Sequence, residues 1–182
     1  MSARIKWPLV LLFVLLSGCA HFPVSPDFRL TDDRGASWSL SAQRGRVVLV
    51  DFGFTHCADT CPLALAKLVR VANAVDPRNR SVEIAFITVD PQRDTPAVLH
   101  AFVSRFDTGG RVVGLTGTPE AIDAVETAYH VWAQRVPGRV RGTYDVAHSA
   151  AIYYVDASGS QRALRDDGDS AAELAAALRE II

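Results

Sequence analysis

Val47-Val48-Leu49-Val50-Asp51-Phe52-Gly53-Phe54-Thr55-His56-Cys57-Ala58-Asp59-Thr60-Cys61-Pro62 runs from a nearly continuous apolar stretch, through two cysteines four residues apart, to a proline. An apolar stretch of this kind, Val47 to Phe54, suits a strand buried on both faces. Pro62 then opens a helix that carries Leu65, Leu68, Ala72 and Val75 on one face. The cysteines therefore stand where a central strand gives way to a helix N-terminus. Side chains at i and i+4 of a helical turn face the same way. Two thiols so placed can ligate one ion or close a disulfide, their Cα atoms roughly 6 Å apart. A helix N-terminus favours negative charge and so supplies thiolate, which is both a soft metal ligand and a nucleophile. The motif permits metal binding or thiol–disulfide exchange and does not choose between them.

Outward from this stretch, helices and strands alternate. Phe28-Arg29-Leu30-Thr31 and Ser37-Trp38-Ser39-Leu40 alternate apolar and polar around Asp32-Asp33-Arg34-Gly35, the pattern of a β-hairpin. Val82 to Val89 is a second buried strand, ending at Asp90-Pro91. Thr95-Pro96 and Thr118-Pro119 are cap-plus-proline helix starts. The first precedes the stripe Leu99, Phe102, Val103, Phe106, and the second the stripe Ile122, Val125, Tyr129, Trp132. A short strand, Arg111 to Leu115, lies between those two helices. Gln134 to Val146 reads as a loop containing proline and glycine. Ala150 to Val155 and Gln161 to Leu164 flank Asp156-Ala157-Ser158-Gly159 as a second hairpin. Ser170 and Glu173 make a capping box before a last helix bearing Leu174, Ala177, Leu178 and Ile181.

Alternating strands and helices imply an α/β fold, with a mostly parallel central sheet flanked by helices on both faces. The N-terminal hairpin and the closing hairpin-plus-helix make the sheet mixed and complete a thioredoxin-like plan. Sites in such sheets form beyond the carboxyl ends of the strands. Cys57 and Asp90 both lie just past such ends. His148, at the start of an antiparallel strand, reaches the same edge.

The chain has 182 residues, 49% hydrophobic and 21% charged, with a formal charge of −1. That suits one domain with its own core, and without a basic run no nucleic-acid partner is expected. The first residues read as a leader. Arg4 and Lys6 precede an apolar run of about ten residues, Trp7 to Leu16, where a membrane span needs roughly 20. Leu16-Ser17-Gly18-Cys19 resembles a bacterial lipobox, whose cleavage leaves a lipidated cysteine. Residues 1–18 are thus expected to be a lipoprotein signal peptide, 19–27 a tether and 28–182 the folded domain. The alternative is an uncleaved signal anchor; either way the domain is extracytoplasmic and membrane-tethered. Loss of Arg4 and Lys6 leaves 17 basic and 20 acidic residues, a charge of −3. With Cys19 lipidated, Cys57 and Cys61 remain in an oxidising compartment. So short a loop gains little from a structural disulfide.

Structural zinc asks for four protein ligands, and no second cysteine pair exists here. Two thiolates suit Cu(I), and adding an imidazole suits Cu(II) as well. The histidines are His21, His56, His100, His130 and His148. His21 falls in the tether, His100 and His130 within helices. His56 adjoins Cys57 and is expected to point elsewhere. His148 precedes a buried strand, where chain position alone reads at least as well as a packed or capping histidine.

Several stretches together resemble the Sco/SenC family: Phe28-Arg29-Leu30-Thr31-Asp32, Gly45 to Val50, Gly53 to Pro62, Thr88-Val89-Asp90-Pro91-Gln92-Arg93-Asp94-Thr95-Pro96, and His148-Ser149-Ala150 leading into Ile152 to Asp156. The resemblance runs from about Phe28 to the C-terminus. It implies a thioredoxin fold at the outer face of an energy-transducing membrane, copper as the bound metal, and Cys57, Cys61 and His148 as its ligands, with Asp90 in support behind them. It implies a metallochaperone that helps assemble the dinuclear copper site of cytochrome c oxidase, its partner being the copper-bearing subunit or another copper acceptor. Three positions depart from the family pattern. Ala58 stands where proline is usual, Ala147 where aspartate usually precedes the histidine, and Asp51 where the strand is usually apolar. In thioredoxins a buried aspartate six residues before the first cysteine assists proton transfer at the resolving cysteine. Asp51 is accordingly a candidate base, or else an aspartate hydrogen-bonded at a sheet edge.

The alternative function is a membrane-anchored thiol–disulfide oxidoreductase, in which Cys57 attacks and Cys61 resolves. Thioredoxin-type reductases carry a cis-proline at the strand start occupied here by Ala147-His148-Ser149, which favours the metal. A peroxiredoxin reading fails, because Gly53 to Cys57 lacks the required proline and misplaces the threonine. Within Gln134–Val146, Gly138 and Gly142 are expected to let His148 swing. Arg135, Arg139 and Arg141 either meet an acidic partner or are simply solvated.

Overall fold

The computed structural model describes residues 23–107 and 109–182. The expected signal peptide and Cys19 lie outside the described residues.

The apolar stretch forms β3 (Val47–Gly53), buried along its whole length, and Val82–Thr88 forms β4 beside it in parallel. β5 (Val112–Thr116) extends the parallel group next to β4. The first hairpin, β1 (Arg29–Asp32) and β2 (Ser37–Ser39), caps the β5 edge antiparallel, and a short 3-10 turn, Leu40–Gln43, follows it. β8 (Ala151–Val155) and β9 (Gln161–Asp166) close the other side, β8 antiparallel to β3. The mixed sheet runs β2-β1-β5-β4-β3-β8-β9, so β3 lies in its interior.

The period of two along β3 divides the core. Val48, Val50 and Phe52 face one cluster, with Leu30, Trp38, Ile122, Val125, Tyr129 and Tyr153. Val47 and Leu49 face the other, with Leu65, Leu68, Phe86, Phe102 and Leu174. Helices α1 (Thr60–Val75), α2 (Pro96–Val103) and α4 (Ala171–Arg179) cover that second face, and α3 (Pro119–Ala128) covers the first. The cap signals form as expected. Thr95 accepts from the Val98 amide at 3.4 Å, Thr118 accepts from the Ala121 amide at 3.2 Å, and Ser170 with Glu173 makes the reciprocal box.

Two local readings change. α1 begins at Thr60 rather than Pro62, because the first-turn amides have no partner within the helix and a proline there costs nothing. Residues 134–146 are not a loop. β6 (Ala133–Pro137) and β7 (Tyr144–His148) pair antiparallel as a ribbon separate from the main sheet. The ribbon turns at Gly138, whose amide donates to the Thr143 carbonyl at 3.0 Å, and at Gly142, whose φ of 84° suits glycine. His148 thus ends a strand. Upstream, residues 23–27 run along the domain: Val24 bridges to Ser160, and the Pro26 carbonyl accepts from the Tyr129 hydroxyl at 2.9 Å.

Candidate metal centre

β3 ends at Gly53, and the chain turns through Phe54 to Thr60 into α1. The turn is fastened from below by Asp94, which is fully buried. Its carboxylate accepts from the Thr55 amide at 3.0 Å and from the hydroxyls of Thr55 and Thr88, both at 2.6 Å. The turn places Cys57, half-buried, above Cys61, which is 5% exposed. The Cys61 amide donates to Cys57 Sγ at 3.3 Å, and the Thr60 hydroxyl lies 3.2 Å from it. The Cys57 thiol is accordingly pulled down to about 5, first by the Cys61 thiol and then by Thr60 and the first-turn amides, with burial opposing. Cys61 moves the other way: the neighbouring Cys57 sulfur and burial both keep its thiol protonated.

His148 Nε2 lies 3.7 Å from Cys61 Sγ. Nδ1 lies 2.8 Å from the Ser149 carbonyl, which can only accept, so Nδ1 carries the proton and Nε2 turns its lone pair to the sulfur. The Phe54 ring meets the imidazole edge-on, centroids 5.9 Å apart. Ser149 is tied to Trp132 by an amide-to-carbonyl bond of 2.8 Å and by its hydroxyl accepting from the Trp132 amide at 3.0 Å. A lone pair and two sulfurs, one of them poised as thiolate, form a soft set with one borderline nitrogen, which fits copper. The set is not drawn together: among the described residues no group of three His, Cys, Asp or Glu side chains is close enough to hold an ion as it stands.

Asp51 lies within the sheet rather than at its edge, 5% exposed and paired with Phe86 and Ile152. Burial, assisted by the negative charge of Asp167, pushes its carboxyl up to about 7, against a hydrogen bond from the Phe52 amide. Its charge also acts on Cys61. Asp90, 1% exposed, does not reach the cysteines or His148 by any hydrogen bond. It is held by Arg93 and by the Tyr144 hydroxyl, at 2.9 and 3.2 Å to its two oxygens, and Arg135 stands 3.7 Å away. His56 turns to Thr55 at 3.1 Å and Asp94 at 3.7 Å, and His100 to Asp33 at 2.7 Å. His130 is exposed on the turn after α3, and His21 lies outside the described residues.

Two open grooves share Cys57 and Thr60. One, of about 440 Å³, is walled by His56, Arg93, Tyr144 and the ribbon turn; the other, of about 470 Å³, by Phe54, Trp132, His148 and Asp167. The site residues that motif reading passed over are Thr60, Phe54, Asp94 and Tyr144. Phe54 and Thr60 stood inside the Gly53–Pro62 stretch and Asp94 inside the Arg93-Asp94-Thr95-Pro96 run beside a helix cap, whereas Tyr144 carried no sequence signal.

A sheet of this order, with a helix-N-terminal dithiol and an imidazole brought to it from a distant strand, defines a thioredoxin-like class of fold. The SCO1/SenC family model matches residues 19–182, and the chain belongs to that family. The mitochondrial SCO2 homologue of Homo sapiens is 36% identical over 165 residues, covering 86% of this chain and 61% of its own, and that of Bos taurus is 42% identical over 135 residues, covering 73% and 50%. The chain thus spans about half to three-fifths of the length of these relatives. Copper-bound ScoI of Bradyrhizobium japonicum superposes with a TM-score of 0.77 at 35% identity, covering 87% of this chain and 99% of that one. Copper-bound yeast Sco1 superposes at 0.72 and 28%, covering 88% and 91%.

Proposed function

We propose that this protein carries copper as its cargo, bound by Cys57, Cys61 and His148, and delivers it to the copper-bearing subunit of cytochrome c oxidase or another copper acceptor. The observation that carries this reading is the His148 Nε2 lone pair set 3.7 Å from Cys61 Sγ, with His148 walling one of the two grooves through which Cys57 is reached. Similarity to proteins solved with copper supports it. The donors supply a site from which the ion can be handed on by ligand exchange: Cys57 is half-buried and accessible, Cys61 buried, and Asp90 braces the ribbon that bears His148. Titration of the reduced protein tests it. Wild type is expected to take up one equivalent of copper with a thiolate-to-Cu(II) charge-transfer band, which His148→Ala abolishes or shifts and Cys61→Ser abolishes. Weak, featureless uptake together with rapid disulfide reduction would replace this reading with the second one.

The second reading, thiol–disulfide exchange, is favoured by the opposite displacement of the two thiols and by Asp51. Cys57 thiolate attacks a partner disulfide, forming a mixed disulfide and releasing one partner thiolate. Cys61 then attacks Cys57 Sγ, its proton passing to Asp51, and the second partner thiolate leaves as the Cys57–Cys61 disulfide closes. Reduction of an acceptor's cysteines before copper insertion joins the two roles.

The cellular placement belongs to the same proposal: residues 1–18 removed as a signal, Cys19 lipidated, 19–27 a tether, and 28–182 held on the outer, periplasmic side of a membrane. No helix among the described residues is long and apolar enough to cross a membrane. Metabolic labelling with a fatty acid, lost in Cys19→Ser, is the expected result.

A further inference from the structure

The geometry points to Tyr144 and Arg93 as positioning residues that hold the β6–β7 ribbon, and with it His148, at ligand distance from Cys61; this rests on the copper reading above. The ribbon lies outside the main sheet, so the ladder bonds that fix β8 against β3 do not fix β7. Something else must set where its last residue falls. The pairing shows where. The Gly138 amide donates to the Thr143 carbonyl, so the next pair, Pro137 and Tyr144, is the non-bonded kind, and the Tyr144 carbonyl faces outward from the ribbon. Arg93, from the connection between β4 and α2, meets that carbonyl through Nη1 at 3.0 Å.

The same guanidinium lies over the Tyr144 ring, 3.8 Å from its centroid, and the Arg135 guanidinium stands 4.6 Å from that centroid. Both distances are well inside the range for cation–π attraction. The ring's hydroxyl reaches Asp90, which also binds Arg93 and faces Arg135. One buried carboxylate, two guanidiniums and one phenol therefore lock the first residue of β7 to the end of β4. Arg93 also lies 5.9 Å from the Phe54 ring, which meets the imidazole of His148 edge-on. The β4–α2 connection thus fastens both arms of the site. Asp94 holds the cysteine turn, and Arg93 with Tyr144 holds the strand that ends in the histidine. Of the ribbon's arginines, Arg135 belongs to the clamp, whereas Arg139 faces solvent with Asp59 at 3.9 Å.

Tyr144→Leu removes ring and hydroxyl, and Tyr144→Phe keeps the ring alone. Amide exchange over residues 144–148 of the reduced, copper-free protein is expected to quicken about tenfold or more in Tyr144→Leu, with loss of the nuclear Overhauser contact between the rings of Phe54 and His148. In Tyr144→Phe it should stay within about threefold of wild type. On loading, Tyr144→Leu should bind copper with a displaced charge-transfer band and release it about tenfold faster, a change of ~1.4 kcal/mol, while Tyr144→Phe keeps the wild-type band. Unchanged exchange, ring contact and band in Tyr144→Leu would overturn the clamp even though copper binds. Failure of wild type to bind copper would overturn the function above, and the copper-free exchange and ring contact would still decide the clamp.

Discussion

A carboxyl on an interior strand, 5% exposed, is costly to ionise. For Asp51 the sign of the consequence follows from its folded value near 7 against an ordinary 3.8. The folded chain holds this proton over a range in which the unfolded chain has lost it. Its contribution to stability is therefore greatest below about pH 4 and is lost as pH rises toward 7. Asp51→Asn should raise the stability measured in urea at pH 8 by up to about 4 kcal/mol, and the difference from wild type should vanish near pH 4. An Asn variant no more stable at pH 8 would mean that the carboxyl is not buried as described. At this scale Cys57 and Cys61 were plain in the sequence, because spacing alone puts two thiols on one turn. His148 was not: its chain position suited a capping histidine equally, and only the family resemblance singled it out. Its tautomer depends on the Ser149 carbonyl, which only the fold brings into place.

Among the elements, those whose burial is complete were the ones the sequence declared. β3 and β4 are buried at every position, and their runs are apolar but for one carboxylate each, Asp51 and Glu83. The β6–β7 ribbon hid because it is half-exposed on both strands and carries a proline and three arginines across its length. The signal that was there is the Pro137-Gly138 to Gly142-Thr143 turn between Val136 and Val146, a longer hairpin connection than the two-residue kind. The end of β3 shows how tightly the site is built into these elements. A Cβ on Gly53 would meet the Phe86 ring at 2.7 and 2.9 Å and Cys61 Sγ at 3.3 Å. Phe86 is fully buried and stacked on Phe102, so it has little room to yield. Gly53→Ala is expected to cost about 1–3 kcal/mol in urea unfolding and to disturb copper uptake through Cys61. A variant of wild-type stability would show that the ring shifts freely.

Over the whole molecule, Cys61 and His148 stand 87 residues apart in the chain and meet only because β3 and the ribbon converge at one end of the sheet. The cysteines need no such help, since their spacing survives unfolding. An ion that binds the thiols alone is therefore shared between folded and unfolded chains and stabilises little, whereas an ion that also takes the imidazole favours the folded chain. At a hundredfold excess of free copper over its dissociation constant the stabilisation is ~2.7 kcal/mol, a rise in melting temperature of about 5–10 °C for a chain of this size. Calorimetry of the reduced wild type should show that rise, reversed by a chelator, and His148→Ala should show only a fraction of it. Oxidation to the Cys57–Cys61 disulfide removes both sulfur ligands and should abolish the copper response. An equal rise in wild type and His148→Ala would mean that the imidazole takes no part, and that the convergence of the two arms serves the dithiol alone.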